Sequence, residues 1–457
     1  MTFKKEYTTV WNTMWISLGM VTLLLLPSQG FGQVKPLYSY YNMFYGARSI
    51  GMANAFTALA DDLTAVFRNP AGVAELDVPQ IFIDYRYDKL QYNLERQSKD
   101  YTTYELLYDY SFNSTLKNMD FAAISAPVIF WDMKWCFALS YYRSVPYGIN
   151  GLGESRLTTS NNSAPNEITS FNMAGSSGID MLALTSAFYL SDYLSFGVTV
   201  QRYFNSGTMS VAQTFPSPPI STGLSYTREY TDKFKDTSLL MGLRFKLMEE
   251  IILGFSYQFG CADTFTSQDT YQLKDGTAPI TSTSTATLTI PAQYAAGLVL
   301  KPLKFMDLAF DYSRQYWGKA TLSNYYGSTI PLQFPVRNDF TFAQKDTINL
   351  RMGTQFIIPL KKATVFIRGG LFSDQQLFAN WAGEKVKLKG YSLGVGLEIK
   401  PWIQLDAAYM RQKGVWKEAG YFDPSTSINS TAINKIFCVS LTFKFGTPPV
   451  VKEPIED

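Results

Sequence analysis

The feature that most constrains this chain is a period-two alternation of apolar and polar or small residues, repeated through segments whose connections switch between short and long. MDLAFDYS sets Met306, Leu308, Phe310 and Tyr312 on one face and Asp307, Ala309, Asp311 and Ser313 on the other, which is the pattern of a strand with one apolar side. FCVSLTFKF repeats it, with Phe437, Val439, Leu441, Phe443 and Phe445 opposite Cys438, Ser440, Thr442 and Lys444. Fourteen strands are expected near 80–95, 118–130, 134–148, 178–190, 193–211, 237–247, 250–259, 286–301, 304–316, 346–359, 362–374, 390–400, 402–412 and 434–446. Short connections fall at Trp131-Asp132-Met133, Ser191-Asp192, Met248-Glu249, Pro302-Leu303, Leu360-Lys361 and Lys400-Pro401. The intervening ones are about 16 to 30 residues long and rich in Ser, Thr, Asn, Gly and Pro, read here as loops.

Alternation by itself also suits a soluble sandwich. An even number of strands with short turns on one side and long loops on the other is the order of a bacterial outer-membrane barrel. Lipid offers the backbone no hydrogen bonds, so the sheet must close and turn its apolar face outward. Composition agrees: 17% of residues are charged and 16% aromatic, against about 25% charged in ordinary soluble domains. Trp131, Tyr193, Phe245, Phe305, Trp402 and Phe445 near the short turns, and Tyr316 and Trp317 near the loops, fit two interfacial girdles.

The first residues read as an export signal. Lys4 and Lys5 precede an apolar run from Met14 to Leu26, and Gly30-Phe31-Gly32 offers a small-x-small cleavage site, placing the mature start near Gln33. The run is shorter than the roughly 18 residues of a spanning helix. The expected organisation is a signal peptide over 1–32, a plug over 33–77, a barrel over 78–446 and a periplasmic tail over 447–457.

Several functions are excluded or left without a basis. A net charge of +2 gives no footprint for nucleic acid. The chain has no histidine, so no imidazole can serve as base or metal ligand, and neither an enzyme nor a cofactor or metal is expected. Cys136, Cys261 and Cys438 are spaced as neither a disulfide framework nor a metal site. Cys136 and Cys438 fall on the lumen face about 14 Å apart, three strand spacings around a closed sheet, too far to bridge.

Residues 33–77 lack strand alternation. They include GMANAFTALADDLTAVFRNPAG, whose small and apolar residues suit short helices stopped by Pro70 and Gly72. About 45 residues cannot bury a core alone, and the lumen is the nearest partner. Asn69 and Pro70 make a turn capped by side-chain hydrogen bonds, which becomes functional if the plug moves. Asn69→Ala or Pro70→Ala is then expected to leave the barrel folded and lower uptake.

GARSIGMANAFTALADDLTAVFRNPAGVAEL (46–76) resembles the N-terminal hatch of the FadL-type outer-membrane transporters, with Asn69, Pro70, Ala71 and Gly72 at its Asn-Pro-Ala turn. TIPAQYAAGLVLKPLKFMDLAFDYSRQYW (289–317), DTINLRMGTQFIIPLKKATVFIRGGL (346–371) and YSLGVGLEIKPWIQLDAAY (391–409) are similar to later hairpins of that family. The resemblance implies a fourteen-stranded all-β barrel in the bacterial outer membrane, monomeric, embedded in lipid and lipopolysaccharide, with a partly helical hatch in its lumen. It implies passive uptake of hydrophobic compounds such as long-chain fatty acids or hydrocarbons, caught among loops, held in an apolar lumen pocket beside the hatch and released sideways. For a carboxylate, Arg48 and Arg68 in the hatch and Arg244, Lys246, Arg351 and Arg368 on the lumen face are candidate partners, unless Asp307, Asp311, Asp406 and Glu398 pair with them. The type IX secretion shuttle class opens with a similar motif, so a barrel that binds exported proteins is the other reading. The Tyr-rich segment 100–118 suits a ligand-catching element, a surface contact or a hairpin extension.

Overall fold

The computed structural model describes residues 45–96, 109–130, 132–146, 150–157, 167–214, 224–233, 236–273, 278–325, 328–331, 333–337, 340–343, 345–380, 384–399, 402–419 and 427–446. The signal segment, residues 33–44, Trp131, residues 100–108 and the tail from 447 lie outside them.

Fourteen antiparallel strands close into a barrel. The first seven are β1 (Gln80–Arg96), β2 (Asp109–Phe130), β3 (Met133–Pro146), β4 (Glu167–Ser191), β5 (Leu194–Phe204), β6 (Thr237–Lys246) and β7 (Ile251–Gln258). The others are β8 (Gln293–Leu303), β9 (Met306–Gln315), β10 (Thr347–Pro359), β11 (Ala363–Ala379), β12 (Lys385–Ile399), β13 (Ile403–Ala419) and β14 (Ser427–Lys444). The ends join where β1 pairs with β14 from Gln80↔Lys444 to Arg96↔Ile428, leaving this wall no free edge. Side chains sort by the expected period: on β14 Phe437 and Val439 are exposed and Cys438 and Ser440 buried. On β5 the outer face carries aromatics at Tyr193 and Phe204, about 27 Å apart along the barrel axis at ordinary strand rise and tilt, which matches an apolar band of ~25 Å.

The short turns lie where expected to within two residues; the one assigned to Pro302-Leu303 is made by Lys304-Phe305 instead. The long loops are shorter than expected because pairing continues into them. Asn150–Leu157, Ser206–Thr214, Leu224–Lys233, Cys261–Leu273, Ile280–Ile290 and Thr321–Tyr325 prolong β3 and β5 to β9 on the loop side. Asp109 to Asn118 pair with β1 as part of the β1–β2 hairpin. Tyr193, Phe245, Phe305, Trp402 and Phe445 are exposed at the short-turn end, in keeping with a girdle. Trp317 is not part of one. A 3-10 turn at Trp317–Lys319 rotates it inward, and the side chain is fully buried with Leu288, Ala320 and Met181.

Cys136, Cys261 and Cys438 are free and buried. The first and last sit on β3 and β14, with β1 and β2 between them.

Candidate functional site: the hatch against the wall

The described hatch is α1 (Ala47–Gly51), α2 (Ala65–Arg68) and a 3-10 turn at Pro70–Glu75, joined by turns. Elements this short cannot persist alone. Nearly all their side chains are buried, and the wall supplies the missing partners.

Those partners are lumen-facing side chains that accept from, or donate to, hatch backbone. Asp311 on β9 accepts from the amides of Phe56 and Thr57 at 2.9 and 2.8 Å and from the Thr57 hydroxyl at 2.7 Å. Asp84 on β1 accepts from the Gly46 amide at 2.8 Å, and Ser440 on β14 from the Ala47 amide at 2.6 Å. Ser392 on β12 accepts from Ala53 N and donates to Gly51 O, both at 2.9 Å. Thr199 on β5 donates to Val66 O at 3.0 Å. Orphan backbone groups of broken helices are thereby satisfied from five strands.

Asn69 adds the central link. Its Nδ2 donates to Thr57 O at 2.8 Å within the hatch and to Leu243 O at 2.9 Å on β6, while its Oδ1 accepts from Ala71 N at 3.2 Å. Asn69 is extended and caps the next turn, so Pro70 starts a 3-10 turn as well as ending α2. Gly72 lies within that turn and stops nothing: a Cβ there would lie 1.7 Å from Ala60 O. The chain needs glycine because two hatch segments touch.

The wall uses glycine in the same way. A Cβ at Gly197 or Gly242 would collide with Pro70, at Gly254 or Gly297 with Ala58, at Gly353 with Met52 and at Gly370 with Ala53, all under 3.0 Å. Six strands thus present bare backbone to the hatch. This belt and the Asp311, Asp84, Ser392 and Ser440 contacts were not singled out in the sequence; the available signal was a glycine in the middle of each of β5, β6, β7, β8, β10 and β11.

The candidate cations divide. Arg48 pairs with Asp61 at 2.8 Å and Asp62 at 3.5 Å, both in the hatch. Burial raises a carboxyl's pKa, but the Arg48 guanidinium outweighs it at Asp61, held below its ordinary range, while Asp62 stays above. Arg244 pairs with Glu75 and donates to Ala58 O at 2.9 Å, tying β6 to the hatch. Arg368 pairs with Asp406 at 2.6 Å and donates to Gln355 at 2.7 Å, and Arg351 pairs with Asp374 at 3.0 Å. Glu398 pairs with Lys444 at 2.8 Å, and Asp307 accepts from Gln355 at 2.9 Å. Lys246 is exposed at the end of β6. Arg68 lies near Arg351; burial first, then that neighbour, lowers its pKa to about 9.

Arg68 and Arg351 line a cavity of ≈ 30 Å³ with Asn54, Thr57, Gln258 and Asp311, polar and of the size of a water molecule. It is not the apolar ligand pocket expected beside the hatch. Apolar side chains gather elsewhere. Tyr45 and Phe67 of the hatch, 4.8 Å apart, meet Phe121 and Tyr142 of the wall with ring centroids 5.4 to 6.1 Å apart, and Phe82 joins at 5.3 Å from Phe121. Tyr45 also donates its hydroxyl to Arg143 O at 2.7 Å.

A wall closed around a hatch of this kind has known counterparts. The sequence profile of the outer membrane protein transport family OMPP1/FadL/TodX matches residues 44–445. The chain belongs to this family. No curated protein matches it by sequence. Among solved structures, a FadL homologue of Pseudomonas aeruginosa superposes with a TM-score of 0.60 at 17% identity, over 88% of this chain and 98% of that one. The toluene transporter TodX of P. putida gives 0.52 at 13% identity, over 88% and 98%. Identities this low speak for the fold. As a member of the OMPP1/FadL/TodX family the protein is a bacterial outer-membrane transport channel for hydrophobic compounds.

Proposed function

We propose that this channel carries hydrophobic compounds of the size of long-chain fatty acids or monoaromatic hydrocarbons inward by diffusion, and that displacement of the hatch opens it. The supporting observation is the nest of Tyr45, Phe67, Phe82, Phe121 and Tyr142 inside the bore. A water-filled porin lumen is polar, whereas an apolar solute gains roughly 0.8 kcal/mol per methylene buried against such side chains. Residues 44–445 share a family with FadL and TodX, and the P. putida relative is a toluene transporter. The cavity that Arg68 and Arg351 line beside the described hatch residues is water-sized, so passage along this side goes with a shift of the hatch. Asn69, Pro70, Ala71 and Gly72 form its hinge side against β5 and β6; a carboxylate reaching the small cavity would meet Arg68 and, in competition with Asp374, Arg351.

The test is uptake of labelled long-chain fatty acid and of toluene by cells lacking other such channels, with and without this protein. Saturable uptake of either supports the reading and identifies the class. Uptake of neither above background, with capture of exported protein at the loops, replaces it with the secretion-shuttle reading.

A further inference from the structure

Beyond the apolar band, β4 to β8 continue outward as paired strands, and their outer face changes character. On β5 and β7 the last outward aromatics are Phe204 and Phe259, followed by Asn205 and Gly260 where the strands break. Past the break the exposed face is built of hydroxyls. Ser176, Thr208, Thr231, Thr266 and Thr285 stand on five successive strands as direct cross-strand partners. Ser176 bonds to Thr208 at 2.8 Å and Thr266 to Thr285 at 3.1 Å, hydroxyl to hydroxyl. One rank nearer the membrane Thr264 bonds to Thr287 at 3.0 Å, and one rank further out Gln268 faces Thr283. On the inner face at the same level Ala286 and Leu288 are buried, so the in-and-out alternation is kept while the outward partner has changed.

We propose that this face binds the uncharged saccharide of the outer-leaflet glycolipid that surrounds the barrel. Three observations fix the occupant. The face is continuous with the lipid-facing wall, so whatever covers the wall below extends over it. Seven residues beyond Phe259 place Thr266 about 16 Å above the outer aromatic level at ordinary strand rise and tilt, past the hydrocarbon and within the headgroup layer. The rank itself carries no charge, and the charges on either side of it are of opposite sign, Lys233 one rank nearer the membrane and Glu229 one rank further out, so the face gathers no cationic cluster for phosphate and suits sugar. Each threonine offers a hydroxyl and a methyl, on a lattice of about 4.8 Å between strands and ~7 Å along them, matching the mixed polar and C–H surface of a pyranose. This inference rests on the outer-membrane location and is independent of which compound the channel carries.

The test compares purified full-length protein in lipid nanodiscs binding lipopolysaccharide with a complete core saccharide and the same lipid stripped to its acylated base. The variant is Thr208→Val, Thr266→Val and Thr285→Val together, which removes three hydroxyls, keeps shape and retains strand preference. Wild type is expected to bind the sugar-bearing form about tenfold more tightly or better. The variant should lose that preference while its affinity for the stripped lipid and its heat-dependent gel mobility stay unchanged. Equal binding of both forms by wild type overturns the proposal, as does an undiminished preference in the variant. A dimer of wild type that the variant abolishes, with no saccharide preference, also overturns it and makes this face a contact between copies.

Discussion

Asn69 spends its amide in two directions, one bond holding the hatch to itself at Thr57 O and one holding it to β6 at Leu243 O. Asn69→Ala leaves those carbonyls and the Ala71 amide without a side-chain partner, at a cost of about 1–3 kcal/mol for buried groups. Barrel pairing is untouched. Amide exchange over residues 57–72 is therefore expected to accelerate while heat-dependent gel mobility is retained and uptake falls; unchanged exchange would refute the link. Adjacent Gly369 and Gly370 offer a sharper contrast. A Cβ at Gly369 meets nothing closer than Ser392 O at 3.8 Å, whereas one at Gly370 lies 2.6 Å from Ala53 Cβ. Gly370→Ala should loosen the hatch and raise permeation of small polar dyes, and Gly369→Ala should not. Asn69 and Pro70 were legible as a turn. That Gly72 serves packing was not, because its contact with Ala60 spans twelve residues that no local pattern connects.

Strands reveal themselves in sequence where one face meets lipid, since that solvent imposes unbroken apolar positions at every second residue. All fourteen were legible for this reason. Their outer prolongations were legible only in part, as at 206–211 and 286–290; further out the outward face is polar too, so TSTST (281–285) reads as a polar loop although threonine pairs well in strands. Trp317 misled for a related reason, because a girdle is inferred from position along a strand, and a 3-10 turn breaks that count. The two faces of β12 should differ accordingly. Leu393 is exposed on the lipid side and Ser392 bonded to the hatch. Leu393→Arg is expected to destabilise the barrel by about 2–4 kcal/mol near the midplane, read by urea titration in lipid vesicles. Ser392→Ala should instead quicken exchange of the Gly51–Ala53 segment at nearly constant barrel stability. Equal destabilisation by both would contradict the assignment of faces.

At the scale of the whole molecule, the wall is a container whose grip on the hatch is distributed: side chains from β1, β5, β6, β9, β12 and β14 each hold one or two backbone groups, and glycines let the two backbones approach. The charged groups of the lumen left two readings, arginines presented to a ligand or paired with acids, and Arg48, Arg244, Arg351 and Arg368 are engaged with acids of the protein itself. Asp406 was legible as such a partner; Asp61, Glu75 and Asp374 were not, because alternation places a side chain on a face without saying which neighbour it meets. On the proposed reading transport depends on moving the hatch as a unit against the wall, and a covalent tie between them tests it. Met52 Cβ lies 3.0 Å from where a Cβ at Gly353 would stand, close to disulfide geometry after a small shift. The measurement is uptake of labelled fatty acid or toluene by cells carrying Met52→Cys with Gly353→Cys, before and after reduction. Hatch gating predicts no uptake while the bridge is oxidised and recovered uptake once it is reduced, at or above the wild-type level because the added Cβ itself crowds the hatch. Equal uptake in both states would mean that hydrophobic compounds pass without the hatch leaving the wall.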